Sequence, residues 1–393
     1  MTKARPQKAR PVWVAMALTA GLGAGGCATR SAGDVADGSE SQGTGSLSPA
    51  FPVALASGQS NPGALVVDDA SVYWVNETAF GADGDSDEQL LSCAKRGCAN
   101  APTILARGVW GFVTKLVLHD GVLTWGAQSA VYQCRAAGCG GQPTMLSTGQ
   151  AVVDDVAVDP GGNVYVVQTS AGSTVVSECG AGGCSSDDGG AWSPAAGLLV
   201  DAGLWVQSLT PTAIVLDSKD LYVTAFASHL GGLNAVGNGT AVIACALGAC
   251  PATSRLLAVV ATVTNNRFVL EDGAAYFATG TATSGGTLER VPKDGSSPSS
   301  TLVAQVTFVS AIASDGKDVY FAELGDVASS AAAPTGRISR CAVTGCGGVA
   351  QVVRGYVADP RSLAVDDANV YWTDSDPRAN GSMAVGRVMV QRK

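Results

Sequence analysis

Val66-Val67-Asp68-Asp69-Ala70-Ser71-Val72-Tyr73-Trp74 is the stretch that decides the fold. It returns nearly unchanged near the other end of the chain as Ala364-Val365-Asp366-Asp367-Ala368-Asn369-Val370-Tyr371-Trp372. In both copies an apolar strand runs into an Asp-containing turn, and a second strand opens on an aliphatic–aromatic pair. Weaker copies are Leu118 to Leu123, Val158 to Tyr165, Leu216 to Tyr222, Leu270 to Tyr276 and Ala313 to Tyr320. Asp and Gly stand where a tight turn needs a side chain bonded to its own backbone or a left-handed residue. Seven copies recur at intervals of roughly 42 to 57 residues.

That period is the length of one four-stranded blade, so the sequence predicts an all-β chain forming a single β-propeller of about seven blades. A missed or an overcounted divergent copy would make eight or six. Each copy supplies strands a and b, and the cysteine pairs that follow mark the hairpins between strands c and d. The seventh copy stops after its third strand, at Gly386 to Val390. Phe51 to Gly58 reads as a fourth strand lying ahead of the first copy. One blade combining both termini would close the ring and remove the exposed edges that invite aggregation. The literal string Tyr371-Trp372-Thr373-Asp374 resembles the YWTD repeat of receptor-type propellers, and the wider phrase resembles TolB-like and NHL-like bacterial propellers. The resemblance covers roughly Phe51 to Lys393 and implies a fold, since such folds host many unrelated activities.

Composition agrees. Charged residues are 15% of the chain and Gly reaches 50, which suits short half-buried strands joined by Gly-rich turns. Ahead of the repeats, Lys3, Arg5, Lys8 and Arg10 form a basic segment followed by the apolar run Val12 to Leu22. That run is shorter than the roughly 20 residues needed to span a bilayer and reads as an export signal. It leads into Ala24-Gly25-Gly26-Cys27, which resembles a bacterial lipobox with Ala24 where Leu is usual. The resemblance implies a signal peptide over 1–26, a lipid on Cys27, and an outer-membrane destination because Ala28 rather than Asp follows. Residues 27–50 are rich in Gly, Ser and Asp and read as a flexible tether, leaving 51–393 for the propeller. Removing 1–26 takes away four cations and no acid, so the formal charge goes from −9 to −13. A domain that acidic argues against nucleic acid and against anionic lipid surfaces as partners. The membrane would be reached through the lipid anchor.

Ten further cysteines fall into five C-x4-C pairs: Cys93/Cys98, Cys134/Cys139, Cys179/Cys184, Cys245/Cys250 and Cys341/Cys346. Two cysteines flanking a four-residue turn can bridge a hairpin, and an exported chain meets oxidising conditions. Metal binding is the rival. A structural zinc site needs about four converging ligands, whereas these pairs belong to different blades, and His119 and His229 cannot serve five sites.

Function is less legible. The long b–c loops, Asn76 to Glu88, Ala227 to Thr240, Leu324 to Thr335 and Ser375 to Ser382, share a face with the d–a connections, opposite the cysteine hairpins. Asp83, Asp85, Asp87 and Glu88 form an acidic run whose oxygens suit calcium, although no helical calcium-loop pattern is present. Trp110, Phe112, Trp192, Trp205 and Tyr356 fall in or near d–a connections, where they either stack on a partner or sugar ring or pack between blades. H-E-x-x-H, P-loop and G-x-S-x-G patterns do not occur, and no catalytic residue is assigned. The expectation is a non-enzymatic envelope lipoprotein binding an unknown protein or glycan on its loop-rich face. The alternatives are a calcium-dependent lactonase or hydrolase and a purely structural envelope protein. Acidic side chains converging at the channel mouth favour the enzyme; a channel lined by Val, Ala and Gly does not.

Overall fold

The protein is described here by a computed structural model. It describes residues 51–77, 88–108, 111, 113–128, 130–148, 151–179, 191–195, 206–232, 235–260, 264–271, 273–280, 285–325, 335–376 and 385–393. These residues contain 27 strands and no helix. The strands form seven antiparallel sheets, one per repeat copy. In blade one, β2 (Pro62–Val67), β3 (Ser71–Asn76), β4 (Glu88–Ala94) and β5 (Thr103–Gly108) lie in sequence order from the axis outward. The innermost strands of the other blades are β6 (Val113–His119), β10 (Val152–Val158), β13 (Ser208–Leu216), β17 (Thr264–Glu271), β21 (Val309–Ser314) and β25 (Pro360–Val365). Neighbouring innermost strands touch all the way round, β25 meeting β2, so the ring is closed.

Closure is made by β1 (Val53–Ser60). It pairs antiparallel with β27 (Val385–Arg392) as the outer strand of blade seven, with Val53 opposite Val390 and Ser60 opposite Val385. The free edge of the last sheet is thus satisfied by the first strand of the domain. In the third blade β10, β11 (Val164–Ser170) and β12 (Ser173–Cys179) are followed by an isolated backbone bridge in the fourth position. There Val176 and Trp192 exchange N–H···O bonds of 2.7 and 2.9 Å.

The repeated phrase folds for a local reason. In four blades the turn Asp accepts two backbone N–H bonds with one oxygen and a tyrosine hydroxyl with the other. Asp68 Oδ1 takes Ala70 N and Ser71 N while Oδ2 takes the Tyr73 hydroxyl at 2.8 Å. Asp217 with Tyr222, Asp315 with Tyr320 and Asp366 with Tyr371 repeat the pattern. The Asp fixes the a–b turn, and a Tyr five residues on ties it to strand b. Alternate residues of strand b fill the space between blades: Trp74, Trp125 and Trp372 are fully or nearly fully buried. Burial of this kind stabilises each blade by about 2 kcal/mol or more per large side chain.

Four hairpins carry disulfides, Cys93–Cys98, Cys134–Cys139, Cys245–Cys250 and Cys341–Cys346, with Cα separations of 5.3 to 5.4 Å. Cys179 is also disulfide-bonded, and Cys184 lies outside the described residues. One expectation needs correcting. The Ala227 to Thr240 stretch is an extension of a hairpin rather than an open loop. Strands β14 (Asp220–Gly232) and β15 (Ala235–Ala246) stay paired as far as Gly232 opposite Ala235, across one irregularity at Ala227 to Leu230. Gly231, Gly232, Gly237 and Gly239 make that run read as loop, yet the backbone ladder continues through it.

Candidate functional site at the channel mouth

The innermost strands enclose a cavity of about 630 Å³. Its lining comes from the starts of β2, β6, β10, β17, β21 and β25, together with Glu77 and Leu324, which lie just past the ends of b strands. Chain enters the innermost strands from the d–a connections and leaves the b strands into the b–c loops. The cavity therefore opens on the loop-rich face, away from the disulfide hairpins. Leu65, Val66, Leu116, Phe268, Ile312 and Leu363 supply apolar wall. Charged groups from five blades are set among them, and each answers to a definite environment.

Asp155, on β10, is buried and fully engaged. Its Oδ1 accepts the Val156 N–H at 2.9 Å and its Oδ2 the Ile214 N–H of the next blade at 2.8 Å. Lys115 on β6 reaches the same carboxylate at 3.3 Å and donates to the Ile214 carbonyl at 2.9 Å. Blades two, three and four are thus tied across the axis. Asp154 accepts the Thr169 hydroxyl at 2.6 Å. Burial, with the Asp155 charge beside it, pushes its carboxyl above the usual range despite that bond.

Glu77, from blade one, is a third carboxyl of the cavity. Burial pushes its carboxyl up to about 7, reinforced by Glu88 and opposed by Arg361 and a backbone N–H bond from Val113. The Arg361 guanidinium lies 4.0 Å from Glu77 and 3.0 Å from Asp359. Glu77 packs closely over Gly63: a Cβ at residue 63 would stand 2.6 Å from Glu77 Oε1, so the carboxyl would have to shift. Arg267 on β17 completes the set. Its Nε is buried without a hydrogen-bond partner, and burial lowers its guanidinium from its ordinary value against the pull of Asp155. Four acids and three cations therefore face one cavity.

The sequence-derived candidates are scattered by comparison. Asp83, Asp85 and Asp87 lie outside the described residues; Glu88 opens β4, is buried, and accepts the Gly111 N–H at 2.8 Å. Among the described residues no group of three His, Cys, Asp or Glu is placed to hold a metal ion. Trp110, Phe112 and Trp205 lie outside the described residues. Trp192 makes the bridge of the third blade and packs, partly buried, against Tyr165, Val167 and Val176. Tyr356 stands on β24 (Gln351–Val357), 78% exposed and with a φ of 59°. Asn76 is buried, bonded to the Trp74 indole and to Gln59. His119 ends β6 near Asp120, and His229 sits in the extended hairpin, its N–H bonded to Asn238. Of these, none of the described residues lines the cavity. Glu77, Lys115, Asp154, Asp155, Arg267, Asp359 and Arg361 escaped sequence reading because each blade offers only one or two of them. The usable signal was their place: at the first residues of strand a, or just past strand b.

No protein-family model matches the chain, and no curated protein matches it in sequence. Solved structures do. A puromycin-hydrolysing peptidase of Mycobacterium tuberculosis aligns over 85% of this chain and 54% of its own, with 12% identity and a TM-score of 0.54. A serine-to-alanine variant of puromycin hydrolase complexed with PGG aligns over 81% and 50%, with 15% identity and a TM-score of 0.52. A putative 6-phosphogluconolactonase from Bacteroides fragilis aligns over 75% and 84%, with 14% identity and a TM-score of 0.49. The chain spans about half the length of the two peptidase structures. At these identities the likeness is one of fold, and the chain is a seven-bladed β-propeller.

Proposed function

We propose that the chain is an exported binding protein, lipid-tethered through Cys27 to the outer membrane, whose propeller receives a protein or glycan at the channel mouth. The observation that carries the binding part is the cavity itself. It opens on the loop-rich face, and its volume of about 630 Å³ lies within the range of small-ligand sites. Its mixed lining supplies apolar contact and orienting charge together. The tether rests on the basic and apolar leader before Cys27, and the hairpin disulfides suit an oxidising compartment. A purely structural role leaves such a cavity without use.

The experiment is capture of ligand from envelope extract by the full-length protein, beside a variant with the mouth filled by Leu324→Trp. Enrichment that the filled variant loses supports the reading. Enrichment that it keeps moves the site elsewhere.

A hydrolase or lactonase is the second reading, favoured by the convergence of Glu77, Asp154, Asp155 and Asp359. A carboxyl near 7, as at Glu77, is suited to general acid–base work. Turnover of ester, lactone or peptide substrates, with calcium and with chelator, that disappears in Glu77→Gln would establish it.

A further inference from the structure

We propose that the channel mouth is a carboxylate-binding site in which Arg267 supplies the guanidinium that grips the anion. The inference rests on the reading that ligand enters at this face, and it names the chemistry that ligand must carry.

It follows from asking what each charge in the cavity already does. Asp155 holds two backbone N–H groups and Lys115. Lys115 is divided between Asp155 and the Ile214 carbonyl. Arg361 faces Asp359 and Glu77, and Asp154 holds Thr169. Arg267 is different. Among the described residues no hydrogen bond or ion pair engages it, and its Nε is closed off from solvent. A guanidinium does not give up its proton under physiological conditions, so the charge persists. A half-buried cation that no hydrogen bond engages, with only the more distant Asp155 charge to offset it, destabilises the empty protein, and an anion arriving from outside would supply what the chain does not.

The surroundings select the kind of anion. Four carboxyl groups share the cavity, so a dianion such as a phosphate ester would meet repulsion on most sides. A carboxylate brings one charge, and its planar pair of oxygens matches one guanidinium fork. Phe268, adjacent to Arg267, with Ile312 of the neighbouring blade and Leu65 of blade one, offers apolar wall to an aliphatic body. The class that fits is a carboxylate on an apolar stem, of which the free C-terminus of a peptide is one instance.

The test titrates full-length protein at neutral pH and low salt with N-acetyl-leucine and, separately, with its carboxamide. The two probes differ in the anion alone. The expected result is at least about tenfold tighter binding of the acid, reduced to the carboxamide level in Arg267→Gln and left in place in Arg340→Gln, which removes a cation paired with Asp318 outside the cavity. Arg267→Met is further expected to raise the Tm of the ligand-free protein, whereas a structural arginine would lower it on removal. Equal binding of both probes overturns the carboxylate assignment while the mouth remains a binding site. No binding of either probe to the wild-type protein also overturns it, because that comparison needs no variant to fold. Failure of the broader reading shows separately, as ligand capture that survives Leu324→Trp.

Discussion

Lys95 Nζ lies 2.6 Å from Asp366 Oδ2, joining blade one to blade seven, the blade that both ends of the domain build. The same ammonium sits 5.4 Å from the centre of the Tyr371 ring, whose hydroxyl donates to that aspartate. Two further seams repeat the arrangement: Lys293 on Asp217 over Tyr222, and Lys393 on Asp315 over Tyr320. In each, the lysine stands two residues past the position of the first hairpin cysteine, or its equivalent, and reaches back to the turn of the preceding blade. The turn aspartate thus serves twice, fixing its own hairpin and receiving the next blade.

Removing the cation from one such latch should cost about 1 kcal/mol, the scale of a partly buried ion pair with a cation–π contact. Lys95→Met and Lys293→Met are expected to lower the denaturation midpoint to similar extents. The two seams lie in different parts of the ring, so the double variant should show nearly additive loss. Chemical denaturation of the three proteins checks it.

The latch also gives the acid limb of stability. Burial would raise the Asp366 carboxyl. Lys95, the N–H groups of Ala368 and Asn369 and the Tyr371 hydroxyl outweigh burial and bring it down to about 2, and Asp217 is likewise held at about 2. A carboxyl lowered by folding contributes stability above its unfolded value near 3.9 that is lost as pH falls through the folded value. Each should therefore contribute about 2 kcal/mol at pH 5 that is gone near pH 2. Asp366→Asn is expected to flatten the Tm profile between those values.

Glu77 works in the other direction. Its carboxyl, raised to about 7 by burial, contributes fully below the unfolded value near 4.3 and loses that contribution as pH rises through 7. Glu77→Gln should match the wild type near pH 4 and exceed it by about 2–3 kcal/mol at pH 9. Thermal melts across that range decide it, with a parallel shift at every pH as the contradicting outcome.

Gly63 and Glu77 should be coupled. With Glu77 present, the Gly63→Ala methyl collides with the carboxylate, and the expected cost is about 1–3 kcal/mol, in the range of overpacking. In a Glu77→Ala background the three atoms nearest that methyl are gone, and the cost should fall below about 0.5 kcal/mol. A double-mutant cycle by urea denaturation measures the difference.

How much of this was legible beforehand divides along sequence distance. The blades were readable because what makes each one is local: an aspartate, a turn, and a tyrosine five residues on. The closing strand was readable because Phe51 to Gly58 has no partner nearby and Gly386 to Val390 lacks one. Distance hid the rest. The Lys95–Asp366 latch spans 271 residues, and Arg267 feels the Asp155 charge only because the ring brings their strands to one axis. Arg267 also lies on a strand whose early residues carry no repeat phrase. The blade-four hairpin was misread because its glycines mimic a loop, while backbone pairing does not depend on side-chain type. Trp192 could not be assigned between platform and packing, because aromatic type alone does not distinguish an exposed ring from one packed on a core cluster such as the one that includes Tyr165.

The central proposal is an exported, lipid-anchored ring stapled by its hairpin disulfides. The most direct measurement is the intact mass of the protein extracted from membranes, before and after reduction with thiol alkylation. The predicted result is a diacyl- or triacyl-sized addition on Cys27, no free thiol before reduction, and ten thiols after it. A chain without lipid, or with its hairpin thiols already free, would contradict it.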